Sequence, residues 1–536
     1  MAIAALSLLA PSAPTYDPWA WIQWGREVVH GALSTSYGPS WKPLPVLVCA
    51  LLAPLGSAAP ALWLIIARAG GVLGVLACAL LAAELAPRGS GRLASTAARR
   101  WLRLLAGAVA AGALLVAGLN FDLWGTSFAG SVWQGNSEGL LTACAIGAVL
   151  CHRARRLGWA LALGVAAALL RPETWPFLAA YAVWLWRERA VVRGWLVAGL
   201  ALVPALWFGA ELWGSGELFR GAARAQAITP DNPATTQSAA HAVLSRSRPY
   251  VLITIQVAVL VAALSALVGV ALGRRRGRGA TPGPNCLVSP PAPGGQTRQL
   301  GRSADPADPA DPARSTPADP ADRARSTPPD RADATTLALA LFGAAWLGLV
   351  ALMAQLRIAS GNPRYVLLSV SVAAILGGVG VARLTAWIGA RFAPRAAVAA
   401  AVALSAGVVI SALPQLRGIS RDINHLRYEV ALDRALPTAI THAGGRAVVL
   451  RCGTPVTGSL SVTALAWRLN VPIERIKLAP APGTVVFRAA PTLDDPPAPP
   501  TTGGLEQIAT AGAWTVATDC PASKRLSQRL SNGTQR

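Results

Sequence analysis

Apolar runs of about twenty residues, the length a helix needs to cross a bilayer core, recur along the chain. They cover Ala59–Leu85, 104–119, 140–150, 195–213, 251–272, 337–356, 365–382 and about 396–413. Two shorter apolar halves, 157–170 and 175–186, flank Leu170-Arg171-Pro172-Glu173. Pro172 has no backbone N–H to donate, so this pattern predicts a hairpin of two short helices rather than one long one. Residues 1–14 are apolar but short, and no basic residue precedes them, as a cleaved signal peptide would require. They read as a first span whose beginning is short or missing. The apolar stretch 45–55 is too short to cross alone and reads as interfacial or re-entrant.

Between 274 and 335 the pattern stops. The segment is rich in Pro, Ala, Asp and Arg, with a near-repeat ADPADPADPARSTPADPADRARSTPPD. So little apolar surface cannot offset the entropy of ordering, which predicts a disordered loop inserted in a membrane domain of residues 1–415. Residues 416–536 hold no apolar run long enough to span. They read as a small α/β domain, with VVL at 448–450, a helix-like stretch at 461–470 and a strand-like TVVFRA at 484–489.

Charge then orders the spans. The chain of 536 residues is 53% hydrophobic and 14% charged, which excludes an ordinary soluble protein of this size. Its net charge of +23 lies mostly in arginines between apolar runs. Lys and Arg favour the cytoplasmic side, so the loops at 87–103, 151–156, 187–193, 273–335 and 383–395 are assigned inside. The expected architecture is an all-α polytopic membrane protein of about eleven spans with interfacial helices in the first outer loop. A cytoplasmic N-terminus and an extracytoplasmic C-terminal α/β domain complete it, in the cell (plasma) membrane. No basic face interleaved with aromatics supports nucleic-acid binding. The cysteines show no metal-ligand spacing; Cys452 and Cys520, both in the polar C-terminal region, can pair if that compartment is oxidising. Usage of Ala, Arg and Pro resembles that of a high-GC, actinobacterial sequence.

Every unusual polar motif falls on the outer side. In the first outer loop, Tyr16 to Leu44, the tryptophans Trp19, Trp21, Trp24 and Trp41 suit a membrane–water interface. Asp17 there reads as a general base for a hydroxyl or as a helix N-cap ahead of Pro18. Lys42 reads as a lipid-phosphate partner or as an ordinary headgroup-seeking cation. Arg364, with Asn362 ahead of it and Tyr365 behind, opens a late span on the side where flanking arginines are not expected; guanidinium matches phosphate with two parallel hydrogen bonds. Arg171 and Glu173 form a candidate pair across the hairpin tip. Asp122, Asn136 and Glu138 mark another outer loop, and Glu138 either favours the helix dipole or orients an acceptor or a metal. Glu27 and Trp41 complete the candidate lining, and His30 is assigned no role.

The order and common sidedness of these motifs resemble the GT-C superfamily of membrane glycosyltransferases. The similar branch uses polyprenyl-phosphate sugars: protein O-mannosyltransferases, aminoarabinose transferases of lipid A, and actinobacterial arabinosyl- and mannosyltransferases. The matching segments are Tyr16-Asp17-Pro18-Trp19, His30-Gly31, Trp41-Lys42-Pro43-Leu44-Pro45, Ser137-Glu138, the Arg171-Pro172-Glu173 hairpin and Arg364-Tyr365, within residues 1–415. The resemblance implies inverting transfer of a sugar from a polyprenyl-phosphate donor to an envelope glycan, lipid or protein. Asp17 would be the base, with Lys42, Arg364 and Tyr365 at the donor phosphate. Many members carry two adjacent acids where this chain has Asp17-Pro18, which leaves Glu27 or Asp122 as the second acid. No cofactor is implied beyond the option of a divalent cation, Mg or Mn. A secondary transporter and a non-catalytic envelope-assembly protein of the same fold are the alternative readings; no internal repeat of the transporter kind is visible.

Overall fold

The structure, a computed structural model, describes residues 1–87, 95–116, 127–188, 193–227, 232–278, 329–416, 419–496 and 504–520. Asp122 and most of the Pro-rich insertion lie outside them.

The helical body begins with α1 (Ala2–Leu6), α2 (Tyr16–Val29), α3 (Pro43–Leu52), α4 (Ala59–Leu85) and α5 (Thr96–Val116). It continues with α6 (Phe128–Trp133), α7 (Glu138–Arg153), α8 (Leu157–Leu170), α9 (Trp175–Glu188), α10 (Arg193–Ser215) and α11 (Arg220–Gln226). It closes with α12 (Ala239–Ser247), α13 (Ile253–Arg278), α14 (Pro329–Gln355), α15 (Leu367–Arg391) and α16 (Pro394–Leu416). Among the described residues, 6 helical segments are long and apolar enough to cross a membrane: Pro43–Leu85, Arg193–Ser215, Ile253–Leu272, Arg331–Gln355, Pro363–Arg391 and Pro394–Gln415. Eleven spans were expected. The first apolar run gives only a five-residue helix and one 3-10 turn, while α7, α8 and α9 are short and α5 opens with Arg99, Arg100 and Arg103. The hairpin expected around Pro172 is present as α8, a 3-10 turn Pro172–Thr174, and α9. The stretch after Lys42 forms α3 and bends into α4 at Gly56, whose φ of 56° is open to glycine at little cost. Insertion boundaries shift inward, because 274–278 continue α13 and 329–335 begin α14.

Small residues let the central helices approach closely. A Cβ at Gly378 on α15 would collide with the Ala106 carbonyl of α5, and one at Gly380 with the Ala258 carbonyl of α13. Helix α15 is thereby buried at the centre of the main apolar core, with α4, α5, α7, α13 and α14 around it. Large side chains such as Leu73, Leu80, Leu260 and Leu264 project outward from the bundle, a surface suited to lipid tails rather than water.

After α16 come α17 (Ile419–His442), α18 (Gly445–Cys452) and α19 (Val462–Leu469), with strands β1 (Thr454–Val456), β2 (Thr484–Ala489), β3 (Glu506–Ala511) and β4 (Trp514–Thr518). The sheet order is β1-β2-β4-β3, with β1 parallel to β2 and the other pairs antiparallel. The VVL at 448–450 is helical, not a strand, because it lies within α18. Cys452 and Cys520 form a disulfide that ties the end of α18 to the chain just after β4.

A second core crosses the expected boundary at residue 416. Trp19, Trp21, Trp24 and Trp41 are all at most 3% exposed and pack with Trp63, Leu465, Trp467, Phe487 and Trp514. The four tryptophans are therefore not interface anchors. They bind α2 to the C-terminal unit on one side and to α3 and α4 on the other.

A buried charge cluster as the candidate functional site

Thr15, extended in backbone, is the N-cap of α2, so Asp17 lies inside the first turn and is not the cap. Pro18 fits there because first-turn N–H groups have no helical partner to lose. The helix stops at His30-Gly31, where Gly31 takes a φ of 68° suited to a helix end. Freed from capping, the Asp17 carboxylate accepts from Arg364: Nη2 donates to Oδ2 at 2.7 Å. No hydrogen bond reaches Oδ1 from the described residues.

Arg364 is held at the start of α15 by a 3-10 turn, Pro363–Val366, which Asn362 caps by accepting the Arg364 N–H at 3.0 Å. Its Nη1 donates to Asn136 Oδ1 at 3.3 Å, and its Nε has no partner among the described residues. Lys42, the N-cap of α3, turns inward rather than toward headgroups: Nζ donates to Ser137 Oγ at 3.1 Å and lies 4.9 Å from the centre of the Trp21 ring. Burial, which disfavours the ammonium, pushes its pKa down to about 8 despite nearby Glu138 and Asp17.

Glu138 opens α7, but its partner is more than a helix dipole. Arg171 donates from Nη2 to Glu138 Oε1, and its Nη1 lies 3.5 Å from Glu173 Oε1. The expected Arg171–Glu173 pair is thus the longer of two, and the stronger one joins α7 to the α8–α9 hairpin. The Arg171 guanidinium sits 4.3 Å from the centre of the Tyr365 ring. Buried ends remain unmatched: Arg171 Nε, Glu138 Oε2 and Glu173 Oε2 have no hydrogen-bond partner among the described residues. An orphaned buried polar group costs free energy, so such atoms mark places where a polar ligand or water gains most.

Residues 134–138, Gln-Gly-Asn-Ser-Glu, act as a hub. Gln134 O accepts from Thr15 N at 3.2 Å, Gly135 O from Trp63 Nε1 at 2.9 Å, Asn136 from Arg364, Ser137 from Lys42, and Glu138 from Arg171. Sequence reasoning singled out Asn136 and Glu138 but missed Gln134 and Ser137 as contacts. The available signal was five polar or glycine positions in a row before an apolar helix.

Three acids, Asp17, Glu138 and Glu173, thus meet three cations, Lys42, Arg171 and Arg364, from five separate stretches of chain. The inner pair, Arg171–Glu138, is 4% and 1% exposed; the outer pair, Arg364–Asp17, is 19% and 11% exposed and forms the rim. Trp41 lies outside this cluster: its Nε1 donates to Leu206 O at 3.1 Å and its ring packs on Trp24. Glu27 is also not brought to Asp17. Ten residues along α2 correspond to about 15 Å, and Glu27 accepts instead from Gln23 Nε2 at 2.6 Å and Ser34 N at 3.0 Å. Burial raises its pKa to about 7 against those two donors. Among the described residues no group of three His, Cys, Asp or Glu side chains could hold a metal ion, and the cluster's acids are instead matched by cations.

No family model matches the chain, and no curated protein matches it. Two solved structures are similar in fold. The crystal structure of ArnT from Cupriavidus metallidurans bound to undecaprenyl phosphate aligns with a TM-score of 0.48 at 13% identity, over 97% of each chain. The apo structure of the same protein aligns with a TM-score of 0.47 at 13% identity, again over 97% of each chain. A likeness of this size assigns neither family nor activity.

Proposed function

We propose that the chain is a membrane glycosyltransferase that moves a sugar from a polyprenyl-phosphate donor to a hydroxyl of an envelope glycan, lipid or protein, with inversion. The observation that carries this reading is the rim pair: a carboxylate held 2.7 Å from a guanidinium, with its second oxygen and the guanidinium Nε both unmatched among the described residues. Inverting transfer needs a base for the acceptor hydroxyl and a cation for the departing phosphate. As the acceptor oxygen bonds to the anomeric carbon, its proton passes to Asp17 Oδ1. The bond from that carbon to the phosphate oxygen breaks, and the electron pair leaves with the lipid phosphate. That phosphate goes from one negative charge to two, and cations fixed in a buried, low-dielectric site stabilise the gain best. Arg364 and Lys42 supply them. Arg171 is committed to Glu138 and Glu173 and holds the hairpin under Tyr365.

Spare donors fit this assignment. Lys42 has three N–H groups, of which Ser137 takes one. The apolar body around the cluster suits a polyprenyl chain entering from lipid.

The discriminating experiment uses the purified chain in proteoliposomes with a labelled polyprenyl-phosphate sugar and envelope extract as acceptor. Label appearing in the acceptor supports transfer. Soluble solute accumulating inside the vesicles, with no label transferred, would replace the reading by a transporter.

A further inference from the structure

The C-terminal unit grips the helix that carries Asp17 at both flanks of that residue. On the far side, Thr463 Oγ1 at the start of α19 donates to the Tyr16 carbonyl at 3.0 Å. Farther down α2, Gln23 Nε2 donates to Val471 O at 3.0 Å, Arg26 Nη1 donates to Trp467 O at 3.3 Å, and the Trp19 and Trp467 ring centres lie 6.2 Å apart. On the near side the link is Gln134. Its side-chain Nε2 donates to Glu429 Oε2 of α17 at 2.8 Å, and its backbone oxygen holds the Thr15 N–H that precedes Asp17 by two residues. Two residues on, Asn136 holds Arg364. The 134–136 segment thus joins the C-terminal unit to both members of the rim pair.

We infer that the C-terminal unit positions the Asp17 base for the reaction, with Glu429 acting through Gln134 as a positioning residue. The physical reason lies in the Gln134 amide. An amide can sit either way round, and the acceptor at Glu429 fixes its NH₂ toward α17, leaving Oε1 buried and without a partner among the described residues. Loss of the acceptor removes the tie between α17 and the 134–136 strap, whose Gln134 oxygen and Asn136 side chain hold Thr15 and Arg364. Glu429 is 26% exposed, and its other oxygen lies 3.4 Å from His425 Nε2 on its own helix. Its removal therefore leaves no sealed cavity in the core. Ordering a base to within fractions of an ångström governs turnover far more than donor binding, which depends on the cations.

This inference rests on the glycosyl-transfer reading for the role of Asp17, so the test has an arm that does not need activity. Full-length protein is reconstituted as wild type, Glu429→Ala and Glu429→Gln; the glutamine retains a side-chain oxygen that can accept from Gln134. Loss of a hydrogen bond to a charged group predicts about a tenfold lower kcat for Glu429→Ala with KM for the lipid donor little changed, and recovery of most of the kcat in Glu429→Gln. Hydrogen exchange of the amides at 15–20 and 134–137 is expected to quicken in Glu429→Ala only. Wild-type turnover and exchange in Glu429→Ala would overturn the inference, as would a glutamine variant as impaired as the alanine. If wild-type protein transfers no sugar, the functional reading fails, and the exchange arm alone still decides whether Glu429 orders the Asp17 helix.

Discussion

Arg364 illustrates how one residue carries two tasks. It orients Asp17 through Nη2 and keeps a buried Nε without a partner among the described residues. Arg364→Ala is expected to weaken binding of the polyprenyl-phosphate donor and to lower turnover by about 10²–10³, the usual effect of removing a charge-stabilising donor. Arg364→Lys should recover little, because an ammonium cannot reach Asp17, Asn136 and a phosphate from one planar fork. Donor affinity measured with a labelled lipid checks both. Lys42 gives a pH test. Its pKa near 8 is lower than the usual lysine value, so the ammonium present below pH 8 is lost as pH rises through it. Transfer should therefore fall on the alkaline side with a midpoint near pH 8. Lys42→Arg, charged throughout, should remove that limb from the pH profile.

Elements were more legible in the sequence than their partners. The Pro172 hairpin, the helix at 461–470 and the strand at 484–489 follow from local rules that the structure bears out, namely the missing proline N–H and the period of apolar residues. Convergence of Asp17, Lys42, Glu138, Arg171 and Arg364 rested on shared sidedness, which says which face but not which neighbour. Tryptophan-rich α2 shows the limit. The same ring suits an interface or a core, and only the position of α19, more than four hundred residues later, selects the core. VVL at 448–450 has strand propensity overridden by tertiary context, since it packs as the face of a short helix. The Arg171–Glu138 pair joins two elements that sequence reasoning kept apart. Breaking it from one side strands a buried charge, so Glu138→Ala or Arg171→Ala should cost about 3–5 kcal/mol of stability. The double replacement Glu138→Leu/Arg171→Met should cost less than either, a comparison that thermal unfolding in detergent can make.

Across the whole molecule, the cluster gathers at one end of the bundle, where α2, α3, α7 and α15 begin and the C-terminal unit sits. At the opposite end Arg153 joins Glu84 at 2.8 Å and Thr335, tying the ends of α4 and α7 to the start of α14. The Cys452–Cys520 disulfide, closing a separation of 68 residues, fits an oxidising compartment and should contribute about 2–5 kcal/mol. Cys452→Ser/Cys520→Ser is expected to lower the unfolding midpoint of the C-terminal unit, and thiol labelling of wild-type protein made in intact cells should find both cysteines protected. The fold, the charge cluster and the docked C-terminal unit have one purpose in this account, to hold a base against an acceptor hydroxyl while a lipid phosphate departs. Asp17→Asn tests it most directly, because the amide keeps the shape but cannot take the proton. In proteoliposomes carrying a labelled polyprenyl-phosphate sugar, the account predicts transfer reduced by about 10²–10⁴ with the donor still bound; transfer at the wild-type rate would contradict it.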